Sequence, residues 1–446
     1  MNEPGLSSAV DVRKGITLSP LKGCQLVFRL LCVAVLAFSA VSFQTASAQE
    51  DWKTPDWVLD PAKAKTYYRS EYYKAKTHFR SATLTAEQTK QIRQVVAYYL
   101  SQLTHDDIVD IPKNVGDRFL NELAPTLTSP AVRQLIMEEV LARAPELLTH
   151  PREIVRYNLL GIILQLNVKP ASNIGSTEVP AAPFTPAWKV LIPVIKDKNQ
   201  FMSCRILAAR GISRICRDGD GAPSSPERSD IATALVDTLH ATPPAEDVAT
   251  WWFRGRLIDA IGSVDRIDNT SSQPIVIEAL LDVITNPKEV IQNRALAAQA
   301  ITQLPYTSST NVTLITDEIM KLLSEMCSLY AQTPTAPAWN DSFVRIYLAF
   351  RPATARQAKD KKWGLLYQVE RPGLNSHASY VKGAWDIAFP ILKPFVEATP
   401  IAPNAKDLKQ LADWLKNMDA SNRKIVPNGK DYAPKSTATL SGPAKG

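Results

Sequence analysis

The sequence predicts an all-α fold, built of repeated antiparallel helix pairs with a helical cap at each end. Three observations predict it. Apolar residues recur at helical spacing through most of the chain, while strand-like alternation is nearly absent. Proline outnumbers glycine, 32 to 17, which speaks against a β fold rich in glycine turns. The second helix of each pair also looks like the second helix of the next. A chain of 446 residues, 45% hydrophobic and 21% charged, is neither collagenous, nor a disulfide scaffold, nor wholly disordered.

Residues 1–48 read as a secretory signal peptide. Arg29 closes a weakly basic segment, an uncharged apolar run starts at Leu30, and Ala46-Ser47-Ala48 gives a small-x-small cleavage pattern before Gln49. The apolar stretch from Leu30 to Phe43 is short against the roughly 20 residues that span a bilayer. The expectation is a cleaved leader and a periplasmic or extracellular product without a membrane span; the alternative is an uncleaved N-terminal anchor. The net charge is +7. Four cations against two acids in the leader leave +5 for the rest, with no long basic run, so no nucleic-acid partner is expected.

Residues 49–128 form an expected N-terminal aromatic and basic cap. Tyr68, Tyr72, Ala75 and Phe79 fall on one helical face. Thr85 is placed to cap a helix running to Leu103. Residues 129–350 hold the pairs. Ser129-Pro130 opens a helix, with proline at the first helical position, and Pro151 is read the same way for Glu153 to Leu166. Further helices are expected at 186–198, 199–217, 229–241, 247–264, 273–285, 288–304, 310–331 and 338–350. Ile277, Leu280, Leu281 and Ile284 form one apolar stripe; Ile291, Ala295, Ala298 and Ile301 form the next.

Aligning the second helices makes Asn158, Arg205, Arg256 and Arg294 equivalent, at spacings of 47, 51 and 38. At these residues the chain resembles the HEAT-repeat family. Leu191-Ile192-Pro193-Val194-Ile195-Lys196-Asp197 matches the first helix with its central proline, and Asn286-Pro287 matches the turn. Val155-Arg156, Phe253-Arg254 and Val344-Arg345 match the start of the second helix, while Ser203 and Gln292 depart from it. The resemblance spans residues 129–350. It implies an α-solenoid of HEAT-like antiparallel helix pairs, in which the matching arginines are structural. Residues 351–418 are then a C-terminal helical cap, with helices at Tyr380 to Phe395 and Lys406 to Met418 and with Leu408, Leu411 and Leu415 on one face. Residues 419–446 are expected to be a disordered tail.

Motifs for chemistry are sparse. The five histidines are isolated, and HExxH, CxxC, GxSxG, Walker and GxGxxG patterns do not occur. Ser379-Tyr380-Val381-Lys382 matches SxxK without its companion KTG. Asp218, Asp220, Gly221 and Glu227 mimic part of a calcium loop, but Cys216 takes the first ligand position and Pro223 and Pro226 interrupt the rest. Cys204 and Cys216 share a helix about 18 Å apart and cannot bridge. No catalytic, cofactor or metal site is therefore assigned. The expected function is that of an exported, non-catalytic scaffold mediating protein–protein interaction in the cell envelope. The alternative is a module that binds envelope polysaccharide or an anionic surface through residues 51–80. The candidate binding residues are Tyr67, Tyr68, Tyr72, Tyr73, Trp251 and Trp252.

Overall fold

The computed structural model describes residues 52–105, 115–123, 127–169, 171–174, 177–179, 181–218, 223–336, 338–397, 402–418 and 423–432. The leader and its cleavage pattern lie outside these residues, as do Asp220 and Gly221 of the calcium-loop pattern. The chain divides into two compact units, 1–53 and 54–446; all the elements below belong to the second.

The N-terminal region is helical. α1 (Pro61–Tyr67) starts where the Asp60 side chain accepts from Lys63 N at 2.8 Å; a π-helical stretch (Tyr68–Tyr72) and α2 (Tyr73–Lys76) continue it. Tyr72, Ala75 and Phe79 are buried as the helical stripe predicts, but Tyr68 stays 41% exposed and Phe79 lies in the turn beyond α2. α3 (Ala86–Gln102) begins at the expected Thr85, which forms a reciprocal capping box with Gln88. A short α4 (Asp117–Glu122) follows.

Five helix pairs come next. The first helices are α5 (Pro130–Leu147), α7 (Trp188–Lys196), α9 (Ser225–His240), α11 (Ile275–Thr285) and α13 (Val312–Gln332). Their partners are α6 (Glu153–Gln165), α8 (Met202–Asp218), α10 (Val248–Ser263), α12 (Ile291–Ile301) and α14 (Ala338–Phe350). Each first helix packs on its partner and on the first helix of the next pair, and the partners pack on one another in the same order. The apolar stripes explain this: Ile277, Leu280, Leu281 and Ile284 are all buried, as are Ala295, Ala298 and Ile301. Gly262 lets α10 approach α12, since a Cβ there would lie 2.6 Å from Ala300 Cβ.

Several boundaries differ from expectation. Pro151 lies one residue before the cap position of α6 instead of at its first turn. α9 starts earlier than expected because Ser224 and Glu227 form a capping box, which also gives Glu227 a structural role outside any calcium loop. The segment between α6 and α7 is not all loop. β1 (Asn167–Lys169) pairs antiparallel with β4 (Ala182–Pro183), and β2 (Ser172–Ile174) with β3 (Thr177–Val179).

The aligned arginines need a change of register. Arg205 Nε donates to Ile195 O at 3.0 Å and Arg294 Nε to Ile284 O at 2.9 Å, so each satisfies a carbonyl at the C-terminus of its pair's first helix. In the pair α9–α10 that role falls to Arg254, which donates to Leu239 O at 3.0 Å. Arg256 instead lies 5.5 Å from the Trp252 ring. In α5–α6, Arg156 makes the corresponding contact just past the end of α5, donating to Thr149 O at 3.1 Å, and Asn158 does not. The structural spacing is thus 49, 49 and 40 residues, more even than the sequence alignment implied.

α15 (Ala355–Lys359), α16 (Leu365–Gln368), α17 (Ala378–Val396) and α18 (Ala405–Lys416) complete the helices. α17 continues the row of second helices by packing on α14, and α18 packs on α13 and α17. Leu411 of α18 is buried, whereas Leu408 is 38% exposed. The expectation of a disordered tail fails for residues 423–432. Ile425 and Val426 are buried, Asn311 N donates to Ile425 O at 2.8 Å, Arg423 pairs with Glu318, and Lys430 Nζ reaches Asp282 at 2.7 Å. Cys204, Cys216 and Cys327 are buried free thiols; burial pushes them up to about 11, 12 and 12 respectively.

Candidate functional site

A cavity of about 580 Å³ opens between α4, α5, α6 and α8. Leu120 comes from α4 and Leu123 from its C-terminal cap, Arg133 from α5, Gly161, Leu164 and Gln165 from α6, Asn167 from β1, and Leu207, Arg210 and Arg214 from α8. Among the described residues, three guanidinium groups line it and no carboxylate does. Two shallower depressions are charge-mixed by comparison. One sets Arg228 and Arg266 beside Asp265 and Asp268; the other sets Lys382 beside Glu370 and Asp386.

The three arginines are held differently. Arg210 and Arg214 are one turn apart on α8, so they share a face and repel. Arg214 donates to Leu164 O, near the end of α6, and to the Asn167 side chain, which fixes it in place. Arg210 is exposed and forms no ion pair among the described residues. Arg133 is only 9% exposed, and its Nη1 is sealed from solvent without a hydrogen-bond partner. It sits in the first turns of α5, after the Ser129 cap, where the helix dipole disfavours a cation. An uncompensated buried guanidinium is costly, so this one marks a place where counter-charge is missing. Gly161 keeps the wall open: a Cβ added there meets no atom within 4 Å. A smaller cavity of about 100 Å³ shares Gly161 and Gln165, and beside it Asn158 Nδ2 is buried without a partner.

The residues singled out from sequence lie elsewhere, and they separate. Tyr72 is a core residue: its hydroxyl donates to Glu122 Oε1 at 2.6 Å and lies 3.0 Å from that of Tyr99. Burial and then the Glu122 bond push its hydroxyl well above the usual tyrosine range. Tyr67 packs against Tyr98 at 5.5 Å, and burial likewise raises its hydroxyl. Tyr68 and Tyr73 remain exposed, joined through their hydroxyls at 2.8 Å, with Tyr68 stacked on Tyr72 at 5.1 Å. Trp251 and Trp252 stack at 5.2 Å on α10, and Trp252 is 45% exposed.

The weaker motifs acquire structural roles. Lys382 of the SxxK pattern is an exposed lysine paired with Asp386 at 2.7 Å. Among the described residues no cluster of His, Cys, Asp and Glu is arranged to hold a metal, and no helix is long and apolar enough to cross a membrane. Sequence reasoning missed Arg133, Arg210 and Arg214. The legible signal was Arg210-x-x-x-Arg214, a like-charged pair on one helical face. No family model, curated protein or solved structure matches the chain.

Proposed function

We propose that this chain is an exported, non-catalytic scaffold of HEAT-like repeats, stacked as an α-solenoid, which holds a protein partner in the cell envelope. One observation carries the reading: each helix pair packs on the pair before and the pair after, in two parallel rows of contacts. Such an array offers the exposed side of one row as a long docking surface. Large apolar side chains lie exposed on that row, with Ile154 and Tyr157 on α6 and Trp252 on α10. The resemblance over residues 129–350 and the leader-like pattern of residues 1–48 support the family and the address.

Two measurements on the exported protein test this. Small-angle scattering should give a radius of gyration well above the roughly 21 Å of a compact chain of this size. A photo-crosslinking residue at Trp252 should yield one discrete adduct with an envelope protein. A compact particle, or no adduct from an envelope in which the protein is abundant, overturns the reading. The exposed Tyr68–Tyr73 pair, with exposed Arg69 between them, favours a second reading, binding of envelope polysaccharide. Loss of polysaccharide co-sedimentation in a folded Tyr68→Ala/Tyr73→Ala variant would select it.

A further inference from the structure

We propose that the cavity between α4, α5, α6 and α8 binds a small amphiphilic anion, a carboxylate or phosphate carried on a short apolar body. Arg133, Arg210 and Arg214 converge on it, and no acid stands among the described residues of its lining. Arg133 is nine-tenths buried, and its Nη1 has no protein partner. An anion supplies that partner, lies within the reach of the exposed Arg210, and suits the planar fork that guanidinium groups present to carboxylate and phosphate oxygens. Leu120, Leu123, Leu164 and Leu207 share the rest of the wall with Gly161, Gln165 and Asn167, and the leucines call for an apolar body behind the charge. The volume, about 580 Å³, fits a small molecule. Among the described residues no aromatic ring lines the cavity, and a single-stranded nucleic-acid groove uses such rings as a stacking platform. This site goes beyond the scaffold reading and stands without it.

Arg133 is the discriminating residue, because Arg214 also ties α6 to α8. The experiment is calorimetry and thermal unfolding of the full exported chain with four probes. These are octanoate, octyl phosphate, octanol (the tail without the charge) and inorganic phosphate (the charge without the tail). Octanoate or octyl phosphate should bind saturably and raise the Tm, the tighter of the two identifying the anion, while octanol and inorganic phosphate bind at least about tenfold more weakly. Arg133→Met keeps the apolar stem. It should weaken the octyl anion by about tenfold or more and raise the Tm of the ligand-free protein, since it removes an uncompensated charge. Gly161→Phe should abolish binding by filling the cavity. The proposal is overturned if no probe binds saturably or if octanol matches the anions. It also fails if Arg133→Met leaves affinity unchanged or lowers the ligand-free Tm.

Discussion

Asp317 on α13 is buried, with Oδ2 lacking a partner while the Tyr380 hydroxyl donates to Oδ1. Burial pushes its carboxyl up to about 6, against the opposing pull of that hydrogen bond and of Lys321 and Arg423. The folded state therefore holds a proton that the unfolded chain releases near pH 4. Between pH 4 and 6 the folded form binds more protons, so this group's contribution to stability falls as pH rises through that window. Asp317→Asn mimics the protonated form. It should raise stability at pH 7 by on the order of 1 kcal/mol and change little below pH 4, as read by urea unfolding at both pH values. An unchanged difference across pH would place the cause elsewhere.

At the scale of elements, the recurring device is a guanidinium closing the end of a helix. Arg254 shows it in the most buried form: it donates to Leu239 O on one side and pairs with Glu289 on the other, both side chains almost wholly buried. Asn293 Nδ2 completes the junction, reaching Trp251 O at 3.0 Å and Glu289 Oε1 at 2.8 Å. Removing one partner of such a pair leaves a buried charge. Glu289→Ala should therefore destabilise by about 3 kcal/mol or more in urea unfolding. Arg345→Ala, which loses a 3.0 Å contact to Gln299 from a partly exposed position, should cost well under half as much. The helices themselves were legible, because period-3.6 apolar stripes such as Ile277 to Ile284 need only local sequence. The β hairpin segment was not, since Ser172–Ile174 and Thr177–Val179 are three-residue strands without alternation. Nor was the cavity, because its arginines come from two helices far apart in sequence, and only the Arg210–Arg214 spacing is visible locally. The register of the arginines was misread because the sequence comparison aligned letters, whereas the carbonyl being satisfied decides the equivalence. Asn158 and Arg256 occupy the aligned positions, but Arg156 and Arg254 reach the helix ends.

For the whole molecule, the pairs are joined mainly to their neighbours, and residues 423–432 add a tie of another kind. This segment returns to α11 and α13, where Arg423 meets Glu318, Lys430 meets Asp282, and the Tyr432 hydroxyl donates to Glu278 O at 3.1 Å. Composition hid it: the stretch is polar and short of apolar residues, and of its apolar side chains Ile425, Val426 and Tyr432 turn inward beside the buried Arg423. Truncation after Met418 strips Glu318 of its buried partner and should destabilise by about 3 kcal/mol, measured by urea unfolding against the full chain. A truncated chain as stable as the parent would make the segment a passive adornment. Its contact with α11 also sets a clock. Lys430 lies 148 residues beyond Asp282, so at translation rates of about 5–20 residues per second α11 waits on the order of 7–30 s after emerging before this clasp can close. During that interval Glu318 and Asp282 stand without Arg423 and Lys430, the cations that the finished chain sets against them.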